Sequence, residues 1–118
     1  MHRYFLLSKI HRATITAADL DYEGSVSICP ELMHAAGILP YERVDVYNVD
    51  NGERLTTYAI SGAKGEICLN GAAAHKGKPG EKVIIAAFVS LSEGEFPIHR
   101  PRLVFVDEDN RKVRVSRG

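Results

Sequence analysis

Tyr22-Glu23-Gly24-Ser25 is the first point along the chain where residue types and order suggest chemistry. A serine hydroxyl can attack the carbonyl carbon of the preceding residue only when the peptide bends into an unusual shape. Glycine at that preceding position, with no Cβ, makes the bend accessible. The product would be an ester in place of the Gly24-Ser25 amide, an N-to-O acyl shift. Gly-Ser is also a common turn dipeptide, so the pair alone does not select the chemical role over the structural one.

Arg54 with Thr57 and Tyr58 forms a second group. A guanidinium is the natural two-pronged partner of a carboxylate. A tyrosine hydroxyl can deliver a proton where bulk water is excluded. On a strand, Arg54 and Tyr58 share one face and Thr57 takes the other, which is also the pattern of an ordinary hairpin. A third group is Asn70-Gly71-Ala72-Ala73-Ala74, where small side chains let a ligand approach the backbone and consecutive N–H groups can hold an anion. An Ala-rich turn packed on a sheet reads the same way. Lys9 and His11 could add positive charge and proton transfer. His2, His34, His75 and His99 have no ligand-like spacing with acidic or cysteine partners, so no metal is assigned.

These groups need a scaffold, and 118 residues suit one domain with one core. Hydrophobic residues are 45% and charged residues 25%, in the range of a soluble globular protein. Fifteen basic residues balance fifteen acidic ones, without the excess that nucleic-acid binding calls on. Cys29 and Cys68 are far apart and read as two buried thiols. No stretch approaches a membrane span, and Phe5-Leu6-Leu7 is too short for a signal core. The expectation is a cytosolic protein with neither membrane nor nucleic acid among its partners.

Arg3 to Ile10 and Arg12 to Ala17 read as two strands, and Asp19 to Ser25 as a loop. Val26 to Ile28 is a short strand. Pro30 to Gly37 is a helix, with proline at its start, glycine beyond its end, and Leu32, Met33 and Ala36 on the buried face. Arg43 to Val49 and Arg54 to Ile60 are strands around the hairpin signal Asn51-Gly52. Ile67 to Leu69 is a short strand leading to a turn and a helical turn through His75. Val83 to Leu91 is a central strand; Phe96 to Pro101 is irregular. Leu103 to Val106 and Val113 to Val115 form a last hairpin around Asp109-Asn110. Many short strands and little helix predict a mostly β fold, a small β-barrel with short helices.

Taken together and in order, the blocks resemble the bacterial, pyruvoyl-dependent aspartate 1-decarboxylase family. The matching residues are Lys9, His11-Arg12, Ala18 through Ser25, and Ala35-Ala36-Gly37-Ile38-Leu39. The match continues through Asn48-Val49, Asn51-Gly52, Arg54, Thr57 through Ile60, Asn70 through His75, and Val83 through Ala86. It covers residues 1 to 90, with a weaker likeness after Leu91. Lys76, in a Lys-Gly-Lys-Pro-Gly run, departs from the pattern and reads as a solvated turn that adds positive charge nearby.

The resemblance implies a double-psi β-barrel, one domain over residues 1–118. It implies self-cleavage between Gly24 and Ser25 into a β chain, 1–24, and an α chain, 25–118. Ser25 would become the covalent pyruvoyl group that forms a Schiff base with L-aspartate, giving β-alanine and CO2 for pantothenate and coenzyme A. Thr57 is implied as the oxyanion donor in processing with Asn70 as helper; His11 and Tyr22 flank the same chemistry. Tyr58 is implied as proton donor, Arg54 and Lys9 as carboxylate partners, and Thr57, Gly71, Ala72 and Ala73 as pocket lining. Self-association as a tetramer with sites between subunits is implied too, and a maturation factor joins the candidate partners. Two other readings stay open: a non-enzymatic barrel that binds through its loops, and a pyruvoyl decarboxylase of another amino acid such as glutamate. Thr57 and Tyr58, on opposite strand faces, fit one site through a bulge, strong twist, or a site shared by two subunits. The shared site is the favoured explanation.

Overall fold

The N-terminal apolar run forms one strand, β1 (His2–Thr14), where the sequence pattern suggests two. The break expected near His11 is a bulge: the pairing register shifts between Ile10 and Ala13, and Arg12 turns through φ 61°. The strand therefore bends and continues. The computed structural model describes all 118 residues. After β1 come β2 (Ala17–Asp19), β3 (Ser25–Ile28), the helix α1 (Pro30–Ala36), β4 (Arg43–Asn48), β5 (Arg54–Ser61) and β6 (Ile67–Asn70). A 3-10 helix (Gly71–Lys76), β7 (Lys82–Ser92), a second 3-10 turn (Phe96–Ile98), β8 (Arg102–Val106) and β9 (Lys112–Ser116) complete the chain.

The nine strands lie in the order β2-β6-β3-β5-β4-β7-β1-β8-β9. This is the mostly β, small-barrel architecture that the sequence predicts. Three of the pairings are parallel: β1 with β8, β2 with β6, and β3 with β5. Parallel neighbours cannot be joined by a tight turn, so local turn signals do not reveal them. One cluster of 20 buried residues forms the core. Ile10, Ile85 and Val46 lie side by side across β1, β7 and β4, all fully buried. Each such side chain contributes roughly 1.5–3 kcal/mol of burial.

The helix ends as the sequence suggests. Gly37 sits at φ 69°, its N–H bonds to the His34 carbonyl, and Leu32, Met33 and Ala36 are buried. The Asn51-Gly52 hairpin is longer than a two-residue turn. Strand β4 stops at Asn48, whose Oδ1 accepts from the Asp50 and Asn51 N–H groups, and β5 begins only at Arg54. The segment read as a loop from Asp19 instead begins as strand, because Ala17–Asp19 pairs with Cys68–Asn70. No helix is long and apolar enough to cross a membrane.

Candidate active site

Ser25 opens β3 directly opposite Asn70, the last residue of β6. It is 1% exposed. Its hydroxyl donates to the Glu23 carbonyl at 2.9 Å and accepts from Asn70 Nδ2 at 3.0 Å. The same amide nitrogen donates to Ser27 Oγ at 2.9 Å. Asn70 therefore grips the serine oxygen itself, whereas the resemblance implies that it helps stabilise an oxyanion on the Gly24 carbonyl.

The close approach that glycine permits falls on Gly71, not on Gly24. Gly24 has no positive φ, and a Cβ there would meet nothing within 4 Å. Gly71 sits at φ 65°, and a Cβ on it would lie 2.7 Å from Gly24 Cα and 2.8 Å from Gly24 N. The Tyr22 carbonyl oxygen would be 3.0 Å away. The start of the 3-10 helix is thus pressed against the backbone leading into Ser25, and only glycine fits there.

A cleft of about 430 Å³ opens beside this junction. Gly24, Ala72, Ala73 and Lys76 line one side, and Leu55, Thr56, Thr57 and Tyr58 the other. Strand β5 pairs with β4 along Arg54–Tyr58 but with β3 only from Ala59 to Ser61. Its second edge is therefore unpaired beside Leu55–Tyr58, and the cleft lies along that edge. Residues of both strand faces border it there, so Thr57 and Tyr58 share a cleft within one chain. The pairing of β5 with β4 shows no register shift, so no bulge is involved. The Asn48–Glu53 and Glu42–Ala59 backbone bonds set the phase of the ladder. Thr56 and Tyr58 accordingly direct their own N–H and C=O groups toward the open edge.

Arg54 is exposed, with its guanidinium 4.2 Å from the centre of the Tyr47 ring on the outer face of the sheet. Tyr58 is half-buried and meets the exposed Tyr41 ring at 6.1 Å. Lys9 lies in a cross-strand row with Ala86, Asp45 and Thr56. Three inter-strand steps put Lys9 about 14 Å from β5, beyond the reach of one lysine side chain. His11 packs edge-on against Phe105 at 5.5 Å, and its buried Nδ1 has no partner. Burial, then the charges of Lys9 and Arg12, hold its pKa below the ordinary value. His11 does not line the cleft; Tyr22 is 54% exposed in the loop before Gly24.

Sequence reasoning missed Leu55, Thr56 and Tyr41, whose apolar, hydroxyl and turn positions carry no distinguishing signal. Lys76, read as a solvated turn, borders the cleft, and its ammonium is paired with Glu53 at 2.8 Å. Two larger hollows, around Tyr4 and Phe88 and around Lys64 and Arg111, do not touch the serine junction.

The sequence model of the aspartate decarboxylase family matches residues 1–113. The match extends past Leu91, through β8 and into β9. Aspartate 1-decarboxylase of Legionella pneumophila strain Lens is 57% identical over 112 residues, covering 93% of this chain and 84% of that protein. The enzyme of the same name from Bdellovibrio bacteriovorus is 56% identical over 111 residues, covering 94% and 90%. That of Dehalococcoides mccartyi strain CBDB1 is 55% identical over 115 residues, covering 96% and 93%.

Proposed function

The chain belongs to the aspartate decarboxylase family, and from that membership we propose how its own residues remove the α-carboxylate of L-aspartate to give β-alanine and CO2. The product would feed pantothenate synthesis. The observation that carries the residue-level reading is the buried Ser25 hydroxyl, held between the Glu23 carbonyl and the Asn70 amide at the edge of a cleft that Gly24 itself lines.

Self-processing comes first. Ser25 Oγ attacks the Gly24 carbonyl carbon and the amide becomes an ester, with the proton passing to the released nitrogen. The Asn70 N–H steadies the oxygen before attack, and the Thr57 hydroxyl, which lines the same cleft as Gly24, donates to the carbonyl oxygen as it gains charge. Elimination then releases Gly24 as a carboxylate and leaves dehydroalanine at position 25. Addition of water expels ammonia and leaves a pyruvoyl group on residue 25. The junction fits that group: the serine is buried and polar-bonded, and no side chain stands at position 24. Once formed, the group supplies a ketone that reacts with the substrate amine and acts as an electron sink.

The chain's own residues then bind and orient. Arg54 leaves its stack on Tyr47 to hold a substrate carboxylate. Ala72 and Ala73 set the length of the pocket and Gly71 keeps it open toward residue 24. Tyr58 returns a proton to the former Cα. Lys9 joins Arg54 in holding the substrate carboxylates, serving the site of a neighbouring subunit in a tetramer. His11 and Tyr22 flank the processing step.

Mass spectrometry of the purified protein tests the reading. Two fragments divided after Gly24 are expected, and Ser25→Ala should stay intact and release no CO2 from aspartate. A chain that remains whole after long incubation with any maturation factor, and releases no CO2, would return the molecule to the class of binding barrels. A panel of aspartate and glutamate checks substrate length. One methylene changes discrimination by about 1–3 kcal/mol, so aspartate should lead.

A further inference from the structure

Cys68 is a buried thiol to which sequence reasoning gave no task, and its surroundings give it one. It lies on β6, 5% exposed, two residues before Asn70. Its sulfur is 3.1 Å from Asn70 Oδ1. Asn70 is itself 3% exposed, and its amide nitrogen reaches Ser25 Oγ at 3.0 Å and Ser27 Oγ at 2.9 Å.

Counting hydrogens decides which way the amide points. Ser25 has one hydroxyl hydrogen, and it is given to the Glu23 carbonyl. Ser25 Oγ must therefore accept from Asn70, so Nδ2 faces the serines. The two amide hydrogens go one each to Ser25 and Ser27, which leaves Oδ1 facing the sulfur. Carbonyl oxygen only accepts, so the thiol must donate. A thiolate there would repel Oδ1 and favour the flipped amide, which would turn the carbonyl oxygen onto Ser25. Burial, then the carboxylates of Glu66 and Asp19, push the thiol pKa up and keep it protonated, against a smaller opposing pull from the Asp19 main-chain N–H.

We propose that Cys68 is a positioning residue for self-processing: its S–H locks the Asn70 amide in the orientation that holds the Ser25 hydroxyl for attack on Gly24. The inference rests on the cleavage reading above. It assigns Cys68 no contact with substrate and no nucleophilic or redox step.

The test compares Cys68→Ser with Cys68→Val in the full-length chain. Serine keeps a donor of similar size; valine fills the space, excludes water and donates nothing. Cys68→Ser should cleave at near the parent rate. Cys68→Val, folded at the assay temperature, should cleave about five- to tenfold more slowly, with a lowered melting temperature from the buried acceptor it strands. A merely structural role would not be rescued by serine in preference to the more apolar valine. Equal cleavage rates in valine and parent chains, both folded, would overturn the proposal. So would a serine variant as slow as the valine one.

A second readout separates this inference from the function it rests on. The Asn70 side-chain amide should give two hydrogen-exchange-protected proton signals in parent and Cys68→Ser precursors. At least one should lose protection in Cys68→Val. If the parent never divides, the functional reading fails, and the amide signals still decide whether Cys68 orients Asn70. Signals that Cys68→Val leaves unaltered would reject that orientation.

Discussion

Gly71 is the residue whose replacement tests the junction most directly. At φ 65° and within 2.7 Å of Gly24 Cα once a Cβ is built, it leaves no room for even a methyl group. Gly71→Ala should cost about 1–2 kcal/mol of stability. It should also slow cleavage by displacing Tyr22–Gly24, and both follow from a thermal melt and a timed gel. Tyr58→Phe should divide normally but turn over more slowly, by about 10²–10⁴-fold if Tyr58 is the acid; steady-state CO2 release measures it. His11 makes a pH prediction. Its folded pKa is depressed below 6.5, so folded and unfolded chains are both neutral at this position above that value. As pH falls below 6.5, the unfolded chain takes the proton first and this part of the stability is lost, down to the lowered folded value. His11→Phe should flatten the fall in melting temperature over that window.

At the scale of elements, local signals succeed where the cause is local and fail where it is not. Pro30 and Gly37 mark α1 because first-turn and left-handed positions have chemical preferences, and Val44 and Val46 alternate because one face of β4 is buried. The strand at Ala17–Asp19 exists only through its parallel partner β6, a distant contact that no turn residue announces. The Arg54, Thr57 and Tyr58 types were legible, but the unpaired edge of β5 that exposes both faces to one cleft depends on where β3 stops. Cys68 was invisible as a hydrogen-bond donor because its neighbour Asn70 is oriented by the distant Ser25 and Ser27 hydroxyls. The tail also does more than its weak patterning suggests. Asn110, in the β8–β9 turn, is 2% exposed and exchanges two bonds with the Thr14 backbone while donating to the Gly65 carbonyl. Asn110→Ala would strand these buried main-chain groups, at about 2–3 kcal/mol. Denaturant unfolding of the variant measures that loss.

For the whole molecule, the 14 Å span between Lys9 and β5 turns subunit sharing into a mixing experiment. Lys9→Ala and Arg54→Ala chains should each be inactive alone. Unfolded together, refolded and allowed to mature, they should regain about a quarter of the sites, because random pairing joins an intact Lys9 to an intact Arg54 with that frequency. No recovery would place both groups within one subunit. Strand β1 carries a different consequence. It runs for 13 residues between β7 and β8, and it ends before the bond at Gly24. Cutting that bond changes the covalent count of the chain without releasing the shorter piece, which stays woven between its neighbours and leaves only on global unfolding. Thereafter two separate strands of polymer must find each other again. An uncut subunit should refold at any dilution, whereas a matured subunit should refold only in proportion to how often its halves collide.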